Sequence, residues 1–249
     1  MWDYEPDWIP PSLEVVERSD VLMWRRSGPP ARARWNNRVS WIRTTPAAVD
    51  RLIDEILEFF RDRPLTWVVG PTTAPADVGR RVATHGLVDT GDGDLLSAEL
   101  PVAGLRSSAD VRVEEVADAR GARIGMRLAH PDSTDEEIDA MIGERLAYLR
   151  HPGRRGGFLV AWIGDEPVAN AGYRYSGDGR TVYLSGAETV ERWRGRGVYQ
   201  SLVRYRLDAA GRRGCRYAAI RARRDTSLPI LLKRGFVDHG HLPIYSRDA

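Results

Sequence analysis

The stretch Thr189-Val-Glu-Arg-Trp-Arg-Gly-Arg-Gly-Val-Tyr199 decides how this chain is read. A strand-like run, Val182-Tyr-Leu-Ser-Gly-Ala-Glu-Thr189, leads into it, and a helix-like run from Val198 to near Arg213 leads out. Between them Gly195 and Gly197 stand two apart, with Arg192, Arg194 and Arg196 interleaved. Glycines let backbone N–H groups approach a ligand without interference from Cβ. A helix opening directly behind such a loop adds unpaired donors and the positive end of its dipole. Every part of the loop suits a phosphate, although an ordinary strand-to-helix turn also satisfies so short a pattern.

Spacing excludes other phosphate loops. There is no Gly-Lys-Ser/Thr, as a Walker-type loop requires. Gln200 stands where a dinucleotide fingerprint wants its third glycine, and positions 216–224 hold no acid to meet a ribose. Composition sets the outer bounds. The chain has 249 residues, 29% of them charged, with a net charge of +2, which describes a folded domain or two and not a disordered tail. The longest uncharged apolar run, Phe158–Gly164, is too short to span a bilayer. An acidic N-terminus argues against a signal peptide, and the single cysteine, Cys215, fits a reducing cytoplasm.

In chain order, residues 1–35 read as irregular, with Trp2, Trp8, Trp24 and Trp35 anchoring the segment to a core. A strand over 38–43 follows, then an amphipathic helix over 46–62 opened by Thr45-Pro46 and carrying Val49, Leu52, Ile53, Ile56 and Phe60 on one face. Next come a strand at 65–69, a helix over about 75–85 closed by Gly86, and strands at 87–89 and 95–100. Residues 101–110 read as a linker. Beyond it the expected elements are a strand at 111–115, helices over 118–128 and 135–149, and strands at 157–163, 167–175 and 181–189. Ser133 and Glu136 have capping-box spacing ahead of the second of these helices. After the glycine loop and its helix come a strand at 216–221, a helix over 227–234 and a closing pair of strands, 236–240 and 242–246.

Arg192-x-x-Gly195-x-Gly197 resembles the coenzyme A pyrophosphate loop of the GCN5-related N-acetyltransferases (GNATs). The element order from residue 111 is that family's, and the loop falls between its fourth strand and third helix. Leu232-Lys-Arg-Gly-Phe236 is similar to the family's helix ending in Gly-Phe. The resemblance covers 111–249 and implies an α+β fold, a mixed, mostly antiparallel sheet flanked by helices. Trp67-Val-Val…Gly86-Leu-Val-Asp89 in turn parallels Tyr217-Ala-Ala…Gly235-Phe-Val-Asp238. Residues 1–105 therefore resemble a smaller, degenerate GNAT-like domain, whose strand-to-helix junction Arg43-Thr-Thr-Pro46 lacks the glycines.

The resemblance implies acetyl-CoA as co-substrate, with no metal. Its pantetheine arm would lie against Ala187, Glu188 and Thr189, and its pyrophosphate against Val190, Arg192, Arg194, Gly195, Arg196, Gly197, Val198 and Tyr199. The eleven arginines and single acid, Asp208, between Arg192 and Arg224 suit its 3′-phosphate. Amine acetylation needs a neutral nucleophile, and an alkylamine titrates near 10, so a base must take a proton. Glu188 is the expected base. The family's usual acid, a tyrosine, falls at Leu231 here; Tyr199, Tyr183, Tyr173 and Tyr245 are the substitutes, Tyr199 being nearest the cofactor in sequence. Cys215 reads as a core residue and His239-Gly-His241 lacks a third metal ligand. These features point to a cytoplasmic acetyl-CoA-dependent N-acetyltransferase acting on a small-molecule amine. An acyl-CoA-binding pseudoenzyme or a protein acetyltransferase are the alternatives. Nothing points to nucleic acid or membrane partners, and self-association is left open.

Overall fold

The computed structural model describes residues 7–26 and 37–248. Trp2, Trp35 and the acidic N-terminus lie outside them. The described chain forms two compact units, residues 1–93 with 241–249, and residues 94–240.

The first unit is built on a six-stranded sheet. Its strands are β1 (Leu13–Glu17), β2 (Val21–Arg26), β3 (Arg38–Ile42), β4 (Leu65–Val68) and β5 (Val88–Asp89), joined by β13 (Ile244–Arg247). The order is β1-β2-β3-β4-β13-β5, with β3 and β4 parallel. The β1–β2 hairpin corrects the expectation that 1–35 is irregular. Val21, Leu22, Met23 and Trp24 are all buried, and a continuous apolar run of that kind is what a covered strand needs. Helices α1 (Val49–Phe59) and α2 (Val78–Thr84) cover one face. Leu52, Ile53 and Ile56 recur at helical spacing and are buried with Phe60, Val39 and fully enclosed Trp67. The first helix begins at 49, not 46. The Thr45 carbonyl accepts from both Ala48 and Val49, so a tight turn precedes the helix and Thr45 caps nothing.

The second unit holds seven strands: β6 (Gly93–Glu99), β7 (Val111–Glu115), β8 (Gly156–Ile163), β9 (Glu166–Tyr175), β10 (Thr181–Thr189), β11 (Tyr217–Arg223) and β12 (Val237–His241). Their order is β12-β6-β11-β10-β9-β8-β7. β7 through β10 pair antiparallel and β10 pairs parallel with β11, the mixed, mostly antiparallel sheet expected. Helices α3 (Ala119–Ala129) and α4 (Asp135–Arg150) pack through Ala122, Met126, Ile138 and Ile142 on the face carrying Val160. Helix α5 (Val198–Arg212) packs through Val198 and Leu202 on the face carrying Leu159, Ala161 and Ala169. Helix α6 (Ser227–Leu232) leads from β11 toward β12. The capping box of α4 is one residue later than expected, Thr134 with Glu137. Ser133 is still inside the preceding turn, its N–H on the His130 carbonyl.

Read from β7 to β12, the second order becomes β7-β8-β9-β10-β11-β6-β12, and its last six strands match the first sheet position for position. In each sheet the slot before the last strand is filled from elsewhere in the chain, by β13 in the first and β6 in the second. The two closing strands expected as a pair therefore do not pair with each other, and the expected boundary at 101–110 differs from the observed one at both ends. Local detail repeats as well. Gly86 and Gly235 both end a helix at positive φ, and the next residue, Leu87 or Phe236, bonds back to the carbonyl five positions earlier. Asp89 and Asp238 each accept at 2.8 Å from the N–H two residues on, Gly91 and Gly240.

Candidate active site

Two neighbouring strands part company at the centre of the second sheet. β10 pairs with β11 only from Thr181 to Leu184, opposite Tyr217 to Ile220. Beyond Leu184, β10 stays with β9, after a bulge between Ser185 and Glu188 where Gly186 takes a φ of 45°. A bulge of this kind re-aims the strand and ends pairing on one side. Val190 donates to the carbonyl of Val168 directly opposite it. By the alternation of an antiparallel ladder, Glu188 turns its backbone groups toward β9, whereas Thr189 turns its own into the gap. The Thr189 carbonyl does accept from the loop side, from Arg194 Nε at 3.3 Å.

The loop follows at the mouth of the gap. A short 3-10 turn, Glu191–Trp193, is followed by Gly195 and Gly197 with φ of 77° and 79°, a region that side chains with a Cβ avoid. Gly197 is the residue before α5, and the first helical N–H to be returned is that of Ser201, to the Gly197 carbonyl. Val198, Tyr199 and Gln200 therefore present N–H groups without helical acceptors. The arginines are arranged around this cradle: Arg192 pairs with Glu166, which also accepts from Trp193 Nε1 at 2.9 Å, and Arg196 lies 4.7 Å over the Trp193 ring. Carboxylate and indole thus hold the loop's frame while its backbone donors stay free for an anion.

Glu188 is exposed and stands directly opposite Asn170 on β9. Asn170 pairs in turn with Val160, which is buried against α3 and α4, so Glu188 belongs to that face. Tyr199 opens α5 on the other face, its hydroxyl toward Arg206 and Ser227. The two residues expected to share the proton transfers are thus not brought together. Burial raises the Tyr199 pKa, which keeps its proton on at neutral pH. Leu231, at the usual tyrosine position, is fully buried in the core.

Sequence reasoning missed two side chains on the face of the sheet that carries Glu188. His130 caps the C-terminal end of α3. Burial lowers its pKa, and Arg145 lowers it further against the opposing pull of Glu188. Arg145 lies on α4, its pKa drawn down to about 10 by burial. A signal for it was present: 138, 142, 145 and 149 form one helical stripe, and the other three members are Ile138, Ile142 and Leu149. A lone cation in an apolar stripe is the irregularity to notice.

The remaining candidates fall away on contact. Cys215 is buried, gives its thiol hydrogen to the Gly179 carbonyl at 3.2 Å, and has its pKa raised by burial, the reverse of an activated thiol. His239 Nε2 pairs with Ser97 Oγ at 2.7 Å and His241 Nε2 with Asp89 at 2.8 Å, so the two rings serve separate contacts. Among the described residues no cluster of three or more His, Cys, Asp or Glu forms a metal site. None of their helices is long and apolar enough to cross a membrane.

Residues 123–236 match the model of the acetyltransferase (GNAT) family. The second unit has the GNAT fold. A GCN5-related N-acetyltransferase from Kribbella flavida superposes with a TM-score of 0.65 at 16% identity, over 96% of this chain and 90% of that one. A tandem GNAT protein from the clavulanic acid biosynthesis pathway gives 0.65 at 14% identity, over 97% and 85%. A GCN5-related N-acetyltransferase from Sphaerobacter thermophilus gives 0.62 at 15% identity, over 92% and 80%. No curated protein matches the sequence. Family match and fold together indicate an N-acetyltransferase, an enzyme that moves an acyl group from acetyl-CoA to an acceptor.

Proposed function

We propose that the chain acetylates the amine of a small molecule, in the cytoplasm, by direct attack on the thioester of acetyl-CoA. The observation that carries this reading is the gap between β10 and β11 beside the Gly195–Gly197 cradle. In this scheme the pyrophosphate rests on the N–H groups from Gly195 to Gln200, with Arg192, Arg194 and Arg196 around it. The pantetheine arm lies along Ala187, Glu188, Thr189 and Val190, where the Thr189 N–H faces the gap. Glu188 takes a proton from the ammonium, directly or through water. The amine then forms the C–N bond, the oxyanion is met by a backbone N–H of β10, and the C–S bond breaks. The departing thiolate takes its proton from Tyr199, whose hydroxyl reaches toward Ser227 at the start of α6, the helix that carries Leu231 in place of the usual donor, and the extra proton on the acylated nitrogen returns through water to the tyrosinate.

The first unit enters this proposal as a degenerate partial copy of the same fold. Its repeat of the strand order and of the Gly86–Asp89 detail supports that origin. At its own strand-to-helix junction, Arg43-Thr-Thr-Pro46, no glycine opens the backbone, and the Thr44 N–H is already bonded to the Ala74 carbonyl. A second reading, an acyl-CoA-binding pseudoenzyme, is favoured by one observation, the buried Leu231. A broad screen of amines with acetyl-CoA, following free thiol, separates the two. Turnover of any amine excludes the pseudoenzyme, binding of acetyl-CoA without turnover supports it, and preference for peptides over small amines would favour a protein substrate.

A further inference from the structure

One cation on the sheet face that carries Glu188 has no counter-ion. The Arg145 guanidinium stacks 3.7 Å over the Phe158 ring, and a Cβ at buried Gly125 of α3 would lie 3.5 Å from its Nη1. It is thus enclosed by α3, α4 and β8. Burial alone perturbs it, and among the described residues no carboxylate pairs with it. With a pKa of about 10 it still carries its charge at neutral pH. Desolvating a charge without a partner is costly, so the site has an unmet demand for an anion. A second orphan faces the same side of the sheet. Asn170 is 9% exposed, its Nδ2 has no hydrogen-bond partner, and it stands directly opposite Glu188.

Charge arithmetic narrows what would bind between these groups. His130 senses both Arg145 and Glu188, and its lowered pKa keeps the ring neutral at pH 7. What remains is one positive group, Arg145, one negative group, Glu188, and a spare amide donor. A phosphate brings close to two negative charges at neutral pH, more than one guanidinium balances. A carboxylate brings one and matches the planar guanidinium fork. The opposite end of the same molecule must be the amine, because Glu188 is where the proton leaves.

We propose that the acceptor is a small amino acid, its amine presented to Glu188 and its carboxylate held by Arg145 with help from Asn170. This rests on the acetyltransferase reading above and names the class of molecule that the site takes.

The test is acetyl-CoA-dependent thiol release from matched amines: each common amino acid against its own carboxamide, and ethanolamine phosphate against ethanolamine. The wild-type chain is expected to favour the free acid over its amide by on the order of 10²-fold in kcat/KM, the usual scale for losing one partner of a buried charge pair. Arg145→Gln should erase that preference by raising KM for the acid, leave KM for acetyl-CoA unchanged, and Arg145→Lys should restore part of it. The wild-type comparison stands even where a variant fails to fold. Equal rates on acid and amide overturn the proposal, as does a preference for ethanolamine phosphate. So does acetyl-CoA binding, by calorimetry, with no amino acid turned over. Failure of the wild-type chain to bind acetyl-CoA would instead bring down the acetyltransferase reading itself.

Discussion

Arg206 on α5 donates from Nη1 to the carbonyl of Gly172 on β9 at 2.9 Å, and more distantly, at 3.4 Å, to that of Ser185 on β10. Its Nε donates to the Leu202 carbonyl at 3.0 Å, and the residue is 1% exposed. A buried cation thus ties the helix behind the loop to both strands at the bulge where β10 leaves β11. Arg206→Met keeps the length of the side chain but leaves strand carbonyls short of a donor. It should lower stability by about 1–3 kcal/mol, the usual cost of an unsatisfied buried polar group. Urea unfolding with an unchanged midpoint would show that water or a shifted neighbour replaces the guanidinium.

Gly195→Glu or Gly197→Glu should abolish acetyl-CoA binding in a folded protein. Both sites have positive φ, and the new carboxylate would enter the cradle meant for a pyrophosphate. Calorimetry on a variant with a native circular dichroism spectrum reads this out, and unchanged affinity would remove the loop from the cofactor site.

Titration should find one acetyl-CoA per chain. The junction at Arg43–Pro46 has no glycine and its Thr44 N–H is already engaged. A stoichiometry of two would show that the first unit kept a site of a different construction.

Glu188→Gln should lower kcat by about 10²–10⁴-fold, the range for general catalysis, while acetyl-CoA affinity holds. Part of the rate should return at high pH, where the amine loses its proton unaided. Tyr199→Phe should also slow turnover, without that rescue, because a donor to the thiolate is still missing. A wild-type kcat in either variant would take that residue out of the scheme.

Below neutral pH, His130 should weaken the fold. Its pKa is lower folded than unfolded, so between the two values the unfolded chain binds more protons. Stability is therefore intact above the unfolded value and declines as pH falls through it toward the folded one. Arg145 and Glu188 are the charges acting on the ring, and the first opposes protonation. His130→Gln should flatten this part of the stability–pH curve, measured by chemical denaturation across pH 5 to 7. An unchanged slope would assign the effect to other groups.

The fold of the second unit was largely legible because its signals are local. Gly195 and Gly197 announce the loop, and Gly235-Phe236 announces the end of α6. The side of Glu188 was not legible, because one bulged residue decides which face a strand residue takes. Arg145 and His130 escaped notice because the packing of α3 against α4, not any spacing along the chain, brings them together. The placement of β13 was unreadable for a related reason: Ile244–Arg247 has the same alternation whichever sheet receives it. Tyr199 illustrates the limit of nearness in sequence, since the helix it opens lies on the face away from Glu188.

The placement of β6 and β13 has a consequence for synthesis on the ribosome. The first unit lacks an interior strand until Ile244–Arg247, made after every strand of the second sheet, leave the exit tunnel. Until then the edges of β4 and β5 wait unpaired, an exposed template for other chains. A nonsense mutation just before Ile244 would leave the glycine loop and Glu188 encoded and strike the first sheet instead. Cutting the gene between β5 and β6 would likewise leave the first sheet without β13.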